Sequence, residues 1–435
     1  DLATSKYGNL PLKELLLPAA KIAEDGFAID RVYAGKLAAS AKSLDKFTGS
    51  RAALLKSDGS AYKEGDILKQ PDLARSYRAM AEEGTNWFYG GPFADKVARW
   101  MADNGGLITE ADFASYLPVE RVPLETTYRD WTIVGFPPPS SGGVIICEML
   151  NVLEGYPLKD WGYRSAQGVH VQIEAMRHAY VDRNSYLGDP DFVKNPTERL
   201  LSKDYATQLR AAIDPAKAGV SQNIKPGVAP HEGSNTTHYS IVDKWGNAVS
   251  VTYTINDWFG AKVTAPGTGV LLNNEMDDFT AKVGVPNLYG LVQGEANAIA
   301  PGKRPLSSMS PTIVTKDGKP VMVVGTPGGS RIITAVLNTM INMIDYGMNV
   351  QEAVDAPRFH QQWLPEPTNL EPFALSPDTR RILEGMGHKF AGAQPANHLA
   401  VIVVGAPSLD GKPVGKNRYY GANDPRRNTG LALGY

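Results

Sequence analysis

The period of apolar and polar positions changes along this chain, and the change organises it. Up to about residue 115 the pattern is helical. Residues 11–26 carry apolar stretches closed by a glycine, and residues 72–83 and 93–104 predict two further helices, the last running into Gly105-Gly106. Residues 133–136 predict a strand entering Pro137-Pro138-Pro139-Ser140-Ser141-Gly142-Gly143, which cannot be helical before its glycines. An apolar helix over 144–154 follows. In residues 165–186, Val169, Ile173, Met176 and Tyr180 recur at spacings of four, three and four, which predicts a long amphipathic helix. Residues 214–235 are rich in Pro, Gly, Ser and Asn without any period and read as an exposed loop. From residue 236 strand signals dominate, at 236–256, 270–272, 312–315, 321–325 and 399–404, with helices over 331–346 and 377–386. Antiparallel strands flanked by helices point to an α+β or layered α/β/β/α build.

The clearest alternation lies between Asn235 and Asn256. Tyr239, Ile241, Val249, Val251, Tyr253 and Ile255 fall on one face; Thr236, His238, Ser240, Ser250, Thr252, Thr254 and Asn256 fall on the other. Lys244-Trp245-Gly246 makes the turn, with glycine where a positive φ is wanted. Folding about Trp245 pairs residues whose numbers sum to 490, so Thr236 lies opposite Thr254 and Asn256 sits one pleat further on the same face. Three readings of this polar row stand side by side. It is a solvated sheet face, or Asn235-Thr236-Thr237 is a glycosylation sequon, the only one in the chain. In the third reading, Thr236 is a nucleophile that must become a chain N-terminus so that its own α-amine serves as base. An accessible loop before Thr236 is what a processing site needs.

Composition narrows the class. The 435 residues are 43% hydrophobic and 21% charged, ordinary for a globular protein with a large core, in two or three domains or one layered one. A net charge of −2 with interspersed signs argues against nucleic acid, and no apolar run reaches the length of a membrane span. The lone Cys147 excludes an internal disulfide and a cysteine-rich metal site; within its apolar run it reads as a buried, inert thiol, compatible with an extracytoplasmic protein. The chain starts Asp1-Leu2-Ala3 without Met or a signal-peptide pattern and reads as a mature or trimmed product. The seven histidines show no metal spacing and read as structural, so neither metal nor cofactor is expected.

Three further segments carry chemistry. Asn273-Asn274-Glu275-Met276-Asp277-Asp278 is a solvated acidic turn, a weak calcium loop, or a site for a substrate ammonium. Ser307 and Ser308 are turn residues or ligands for a carboxylate. Gly328 and Gly329, between a strand and a helix and without a Walker lysine, form a tight connection or present successive N–H groups to an anion.

Taken together and in order, Pro137–Gly143 (PPPSSGG), residues 186–192 (YLGDPDF), 236–240 (TTHYS), 271–279 (LLNNEMDDF), 303–311 (KRPLSSMSP) and 325–331 (GTPGGSR) resemble the γ-glutamyltranspeptidase family. The resemblance runs nearly the whole length and implies an N-terminal-nucleophile hydrolase with two stacked antiparallel sheets between helices. It implies self-cleavage at Asn235–Thr236 into a large-subunit portion (1–235, its upstream part missing) and a small catalytic subunit (236–435), held as a heterodimer in one composite αββα domain. The implied donors are glutathione and other γ-glutamyl compounds, the acceptors water, amino acids or dipeptides, and the location periplasmic or secreted. A cephalosporin acylase taking glutaryl groups, or an unprocessed inert homologue, is the alternative. By matching motif, Thr236 is the nucleophile and Thr254 orients its hydroxyl. Asn256, Glu275 and Asp278 hold the donor α-amino group, Ser307 and Ser308 its α-carboxylate, and Gly328 and Gly329 form the oxyanion hole. Residues 283–291 resemble the lid of bacterial members with Tyr289 as gate, and Trp258 lies toward the acceptor. The resemblance departs at one point. Family members begin well before the equivalent of residue 1 and carry there an arginine that clamps the α-carboxylate. No residue here matches it, which leaves Ser307 and Ser308 without a bidentate ionic partner.

Overall fold

The period-two stretches close into antiparallel sheets in the computed structural model, which describes residues 1–224, 236–392, 397–427 and 430–434. The chain forms two compact units, Asp1–Arg121 with Asp257–Asn274, and Val122–Asn256 with Glu275–Tyr435. These units follow compactness, and the expected subunit division at residue 236 follows cleavage; the two need not coincide.

The first unit is helical. Leu12–Asp25, Arg31–Leu44, Pro71–Glu83 and Pro92–Asp103 are its longer helices, the last two opened by proline at their first position, where the missing N–H costs nothing. One apolar cluster gathers Ile29, Leu37, Leu44, Leu54, Leu68 and Phe259, and a second Phe93, Val97 and Ala265. The strand expected at 270–272 does not form. Leu271 makes a single bridge to Thr264, while Val270 and Leu272 pack against the second cluster, so the apolar triplet is spent on packing rather than on a ladder.

The second unit carries the sheets. The elements that build and support its site are β1 (Leu124–Tyr128), β2 (Trp131–Gly135), α1 (Gly142–Leu153), α2 (Ala166–Tyr186), β3 (Thr237–Val242), β4 (Ala248–Tyr253), β5 (Thr312–Lys316), β6 (Lys319–Gly325), α3 (Arg331–Ile344), β7 (Ala400–Val404) and β8 (Tyr419–Asn423). Six strands form one antiparallel sheet in the order β8-β7-β6-β5-β2-β1. Helices α1, α2 and α3 pack with it around a core that includes Ile133, Val144, Ile173, Met322, Val324 and Val336.

The hairpin β3–β4 pairs in the expected register, with Thr237 opposite Tyr253, His238 opposite Thr252 and Ser240 opposite Ser250. Asp243 closes the turn by accepting the N–H groups of Trp245 and Asn247 on its carboxylate, both at 2.9 Å, and Gly246 takes φ 90°. Its orientation reverses the solvated-face reading. The polar face packs inward, where Ser240 and Ser250 donate to the carbonyls of Ala400 and Val324 at 3.0 and 3.2 Å and His238 is bonded to Thr252 and Ser240. The apolar face is the open one, with Tyr239, Ile241, Val249 and Tyr253 each about half exposed.

Helix α2 differs from its expectation as well. Capped by Ser165, it is enclosed on nearly all sides instead of amphipathic, and His170, Gln172, Glu174, Arg177, Asp182, Arg183 and Asn184 are all buried. Buried polar groups need partners, and one of them, Arg183, lines the cavity described next. Cys147 is fully buried on α1, where desolvation pushes its thiol up to about 12.

Candidate active site

Four kinds of local structure converge on one small cavity in the second unit. The head of the hairpin supplies Thr236, Thr254 and Asn256; the segment after it supplies Asp278 and Tyr289; the turns before β5 and after β6 supply Ser307, Ser308 and Gly329; and α2 supplies Arg183. Trp258 belongs to the first unit, where its indole packs beside Phe259 with the Lys36 ammonium 5.5 Å from the ring centre.

Thr236 immediately precedes β3, one step beyond the last ladder pair. Its hydroxyl lies 3.4 Å from that of Thr254, and the Thr254 oxygen also accepts the N–H of Asn256 at 2.8 Å. Asn256 holds φ at 71°, a left-handed conformation that asparagine tolerates better than most residues. The residue on the other side of the expected scissile bond, Asn235, lies outside the described residues, and the sequon asparagine with it.

Glu275 and Asp278 sit in one 3₁₀ turn, Glu275–Asp278. Glu275 is hydrogen-bonded to Asp278, to the Thr254 side chain and to the Asn256 backbone, yet burial pushes it up to about 7. Asp278 is raised well above the usual carboxylate range by burial first and by the Glu275 charge second. Two buried carboxyls sharing a proton make a site for one positive charge rather than two.

Across the cavity the chemistry is reversed. Ser307 Oγ accepts the Met309 N–H at 3.1 Å, and Ser308 Oγ accepts from Arg183 at 3.0 Å. A hydroxyl that accepts from these groups keeps its own proton to donate, so this end suits an anion.

Gly328 and Gly329 link β6 to α3 with φ of 140° and 57°. A Cβ on Gly328 would lie 2.2 Å from Asn397 Nδ2, which itself donates to the Pro327 carbonyl at 2.8 Å. Only glycine fits there. Their N–H groups donate to nothing among the described residues, and they precede the helix start at Arg331, where the dipole favours negative charge.

Tyr289 closes the cavity. Its hydroxyl donates to Asn256, at 2.9 Å from the backbone carbonyl and also to the side-chain oxygen. Asn287 Oδ1 accepts its N–H at 3.0 Å, and its carbonyl accepts from Gln362 at 3.2 Å. The remaining space is about 20 Å³, room for a single water.

Sequence spacing missed Arg183, Gln293 and Gln362, all buried and contributed by segments distant from the motifs they touch. It also missed the approach of His170, Glu174 and His388, whose donor atoms lie within 4.8 Å of one another. His170 Nε2 faces the Asp214 carbonyl at 2.8 Å and so donates, leaving Nδ1 to accept from His388 Nε2 at 2.7 Å. Glu174 takes the Gly219 N–H at 3.2 Å and has Arg177 as counter-ion at 3.5 Å. That network leaves His388 Nδ1 buried without a hydrogen-bond partner among the described residues.

Comparison with known proteins bears on the chain as a whole. The γ-glutamyltranspeptidase family model matches residues 1–434. A glutathione hydrolase proenzyme of Pseudomonas sp. strain A14 is 67% identical over 435 residues, covering 100% of this chain and 76% of that protein. One from Escherichia coli K12 is 49% identical over 437 residues, covering 100% of this chain and 73% of that protein. Among solved structures, a cephalosporin acylase from Bacillus halodurans superposes with a TM-score of 0.82 at 27% identity, over 97% of this chain and 74% of its own. The fold is therefore the α+β build of the N-terminal-nucleophile hydrolases, and the chain belongs to the γ-glutamyltranspeptidase family.

Proposed function

We propose that this chain is a γ-glutamyl hydrolase and transpeptidase that acts on glutathione and related γ-glutamyl amides through an ester on Thr236. The observation that carries the reading is the cavity itself: a threonine hydroxyl at its mouth, shared-proton carboxyls at one end and donor hydroxyls at the other. An α-amino acid presents the complementary pair of charges.

Maturation comes first. The Thr236 hydroxyl adds to the Asn235 carbonyl, the peptide bond becomes an ester, and water hydrolyses it. This releases the Asn235 carboxylate and the Thr236 α-amine. In turnover that amine takes the hydroxyl proton as Thr236 attacks the γ-carbonyl. Thr254, 3.4 Å away, is the hydrogen-bond partner that orients the hydroxyl before the proton moves to the amine. The Gly328 and Gly329 N–H groups stabilise the oxyanion. The leaving amine takes the proton back, and water or an acceptor amine then attacks the ester. Asn256, Glu275 and Asp278 hold the donor ammonium, Ser307 and Ser308 its carboxylate. Trp258 is assigned to the acceptor side by resemblance alone. An extracytoplasmic location fits a proenzyme family, and no helix among the described residues is long and apolar enough to cross a membrane.

The test is release of p-nitroaniline from γ-glutamyl-p-nitroanilide, together with denaturing electrophoresis of the purified protein. Turnover by a sample split into two fragments supports the reading; an uncleaved, inactive chain would sink it. The acylase superposition favours one further comparison, because a glutaryl donor lacks the α-amino group. Preference for glutaryl-p-nitroanilide over the glutamyl compound would select the acylase reading instead.

Two consequences follow for turnover. Glu275, raised to about 7, must be ionised to hold an ammonium. The donor KM is therefore expected to fall as pH rises through about 7 and to climb below it, with no such limb for a glutaryl donor. A flat KM between pH 6 and 8 would contradict this. The Tyr289 hydroxyl occupies Asn256, so a donor must displace it. Tyr289→Phe is expected to change KM for the γ-glutamyl donor about 3- to 10-fold, one hydrogen bond's worth. Unaltered steady-state constants would remove Tyr289 from the donor's path.

A further inference from the structure

Arg183 is a buried cation whose hydrogen-bond acceptors are all neutral. Its guanidinium donates to Ser141 Oγ at 2.9 Å, Asn184 Oδ1 at 3.0 Å, Gln293 Oε1 at 3.1 Å and Ser308 Oγ at 3.0 Å, and the residue has no exposed surface. Among the described residues no carboxylate lies within ion-pair distance of it, and Asp278, which lines the same cavity, acts on it only from further away. The other deeply buried arginines differ. Arg177 pairs with Glu366 at 2.8 Å and Arg358 with Asp424 at 2.7 Å. Leaving a guanidinium buried without an anion in contact is costly, and the one at Arg183 lines the cavity next to Thr236.

The direction of its hydrogen bond to Ser308 gives that charge a use. A guanidinium has donors only, so Ser308 Oγ must accept and its proton must point elsewhere. Ser141, which also accepts from Arg183, donates to the Ser307 carbonyl at 2.7 Å and so fixes the backbone that carries both serines. The arginine therefore polarises one hydroxyl and, through Ser141, aligns its neighbour.

We propose that Arg183 is a positioning residue for the donor α-carboxylate, supplying through Ser308 the positive charge that the two serines lack by themselves. The inference rests on the γ-glutamyl reading above. It concerns a residue on α2, distinct from the upstream arginine of the family resemblance, and one that reaches the carboxylate only through a hydroxyl.

Two donors separate this role from a structural one: γ-glutamyl-p-nitroanilide and 4-aminobutyryl-p-nitroanilide, which keeps the amine and the scissile amide but has no α-carboxylate. Arg183→Gln is expected to raise KM for the first about 10- to 100-fold with kcat within about 3-fold, the scale of one charge-assisted hydrogen bond. It should leave kcat/KM for the second within about 3-fold of wild type. Arg183→Lys, which keeps the charge, should recover part of the KM. In a Ser308→Ala background the Arg183→Gln loss should largely vanish, because both changes remove one interaction. Equal losses on both donors, a fall in kcat alone, or losses that multiply with Ser308→Ala would overturn the proposal. Thermal melting reports whether each variant folds; if Arg183→Gln does not, Arg183→Lys bears the same two-donor test. A wild-type enzyme that turns over neither donor would overturn the γ-glutamyl reading, and this inference with it.

Discussion

Thr236→Ala is expected to yield a single chain of 47.0 kDa on denaturing electrophoresis, where the wild type gives two fragments, the smaller of 200 residues. Both steps assigned to Thr236 use the same oxygen. Without it the Asn235 carbonyl has no neighbour to attack it, the α-amine is never released, and the γ-glutamyl carbonyl meets no nucleophile. Removing a hydroxyl nucleophile from a hydrolase costs on the order of 10⁶ in kcat, so residual turnover should be below detection. Thr236→Ser separates the two losses, since it keeps the oxygen and drops only the methyl group; it should still be cleaved. Fragments from the alanine variant, or turnover by it, would remove Thr236 from both roles. Thr254→Ala, by contrast, deletes a partner 3.4 Å away and leaves the nucleophile, so slowed cleavage is expected instead of none.

The register of the hairpin was legible because its side-chain period is fixed at two and its turn admits one closure, with Asp243 and Gly246 where the geometry needs them. Thr236 thus fell opposite Thr254 before any tertiary contact was known. Which face would turn inward was not legible. Alternation places apolar residues together, but whether a sheet or solvent meets them depends on elements far away in sequence. Here hydroxyls of Ser240 and Ser250 meet backbone carbonyls of the large sheet, and Tyr239 and Ile241 face outward. Helix α2 shows the same limit. Its spacing of Val169, Ile173, Met176 and Tyr180 reports one buried face correctly, yet says nothing of the other face, which is buried too. Arg183 stayed hidden because an arginine on a helix reads as solvated until its acceptors are known, and Ser308 stands 125 residues further along the chain. The acidic turn was readable only as a choice between a solvated or weakly calcium-binding loop and an ammonium site. What favours the second is burial, and burial is a property of the fold, not of the six residues.

Asp278→Asn tests that assignment with the largest effect short of losing the nucleophile. The substitution keeps size and hydrogen-bonding capacity, and the contacts that hold the turn run through the Asp278 backbone carbonyl, which accepts from Gln293 at 3.0 Å and Asn297 at 2.7 Å. The fold should therefore survive. What is lost is a carboxyl that can ionise against the ammonium: a charge that loses one partner of a buried pair forfeits about 2–5 kcal/mol. The expected result is a 10²- to 10³-fold fall in kcat/KM for γ-glutamyl-p-nitroanilide, by way of the same energy scale. Glutaryl-p-nitroanilide has no ammonium to lose, so its kcat/KM should stay within about 3-fold, and the ratio between the two donors should collapse. A second signature separates this from general damage. Burial is what raises Glu275, and its hydrogen bond with Asp278 lowers it; an amide in that place can still donate to the Glu275 carboxylate. The acid limb of the remaining donor KM should therefore persist. Equal losses on both donors, or loss of the limb, would return the turn to a structural role and leave the donor ammonium to be held elsewhere.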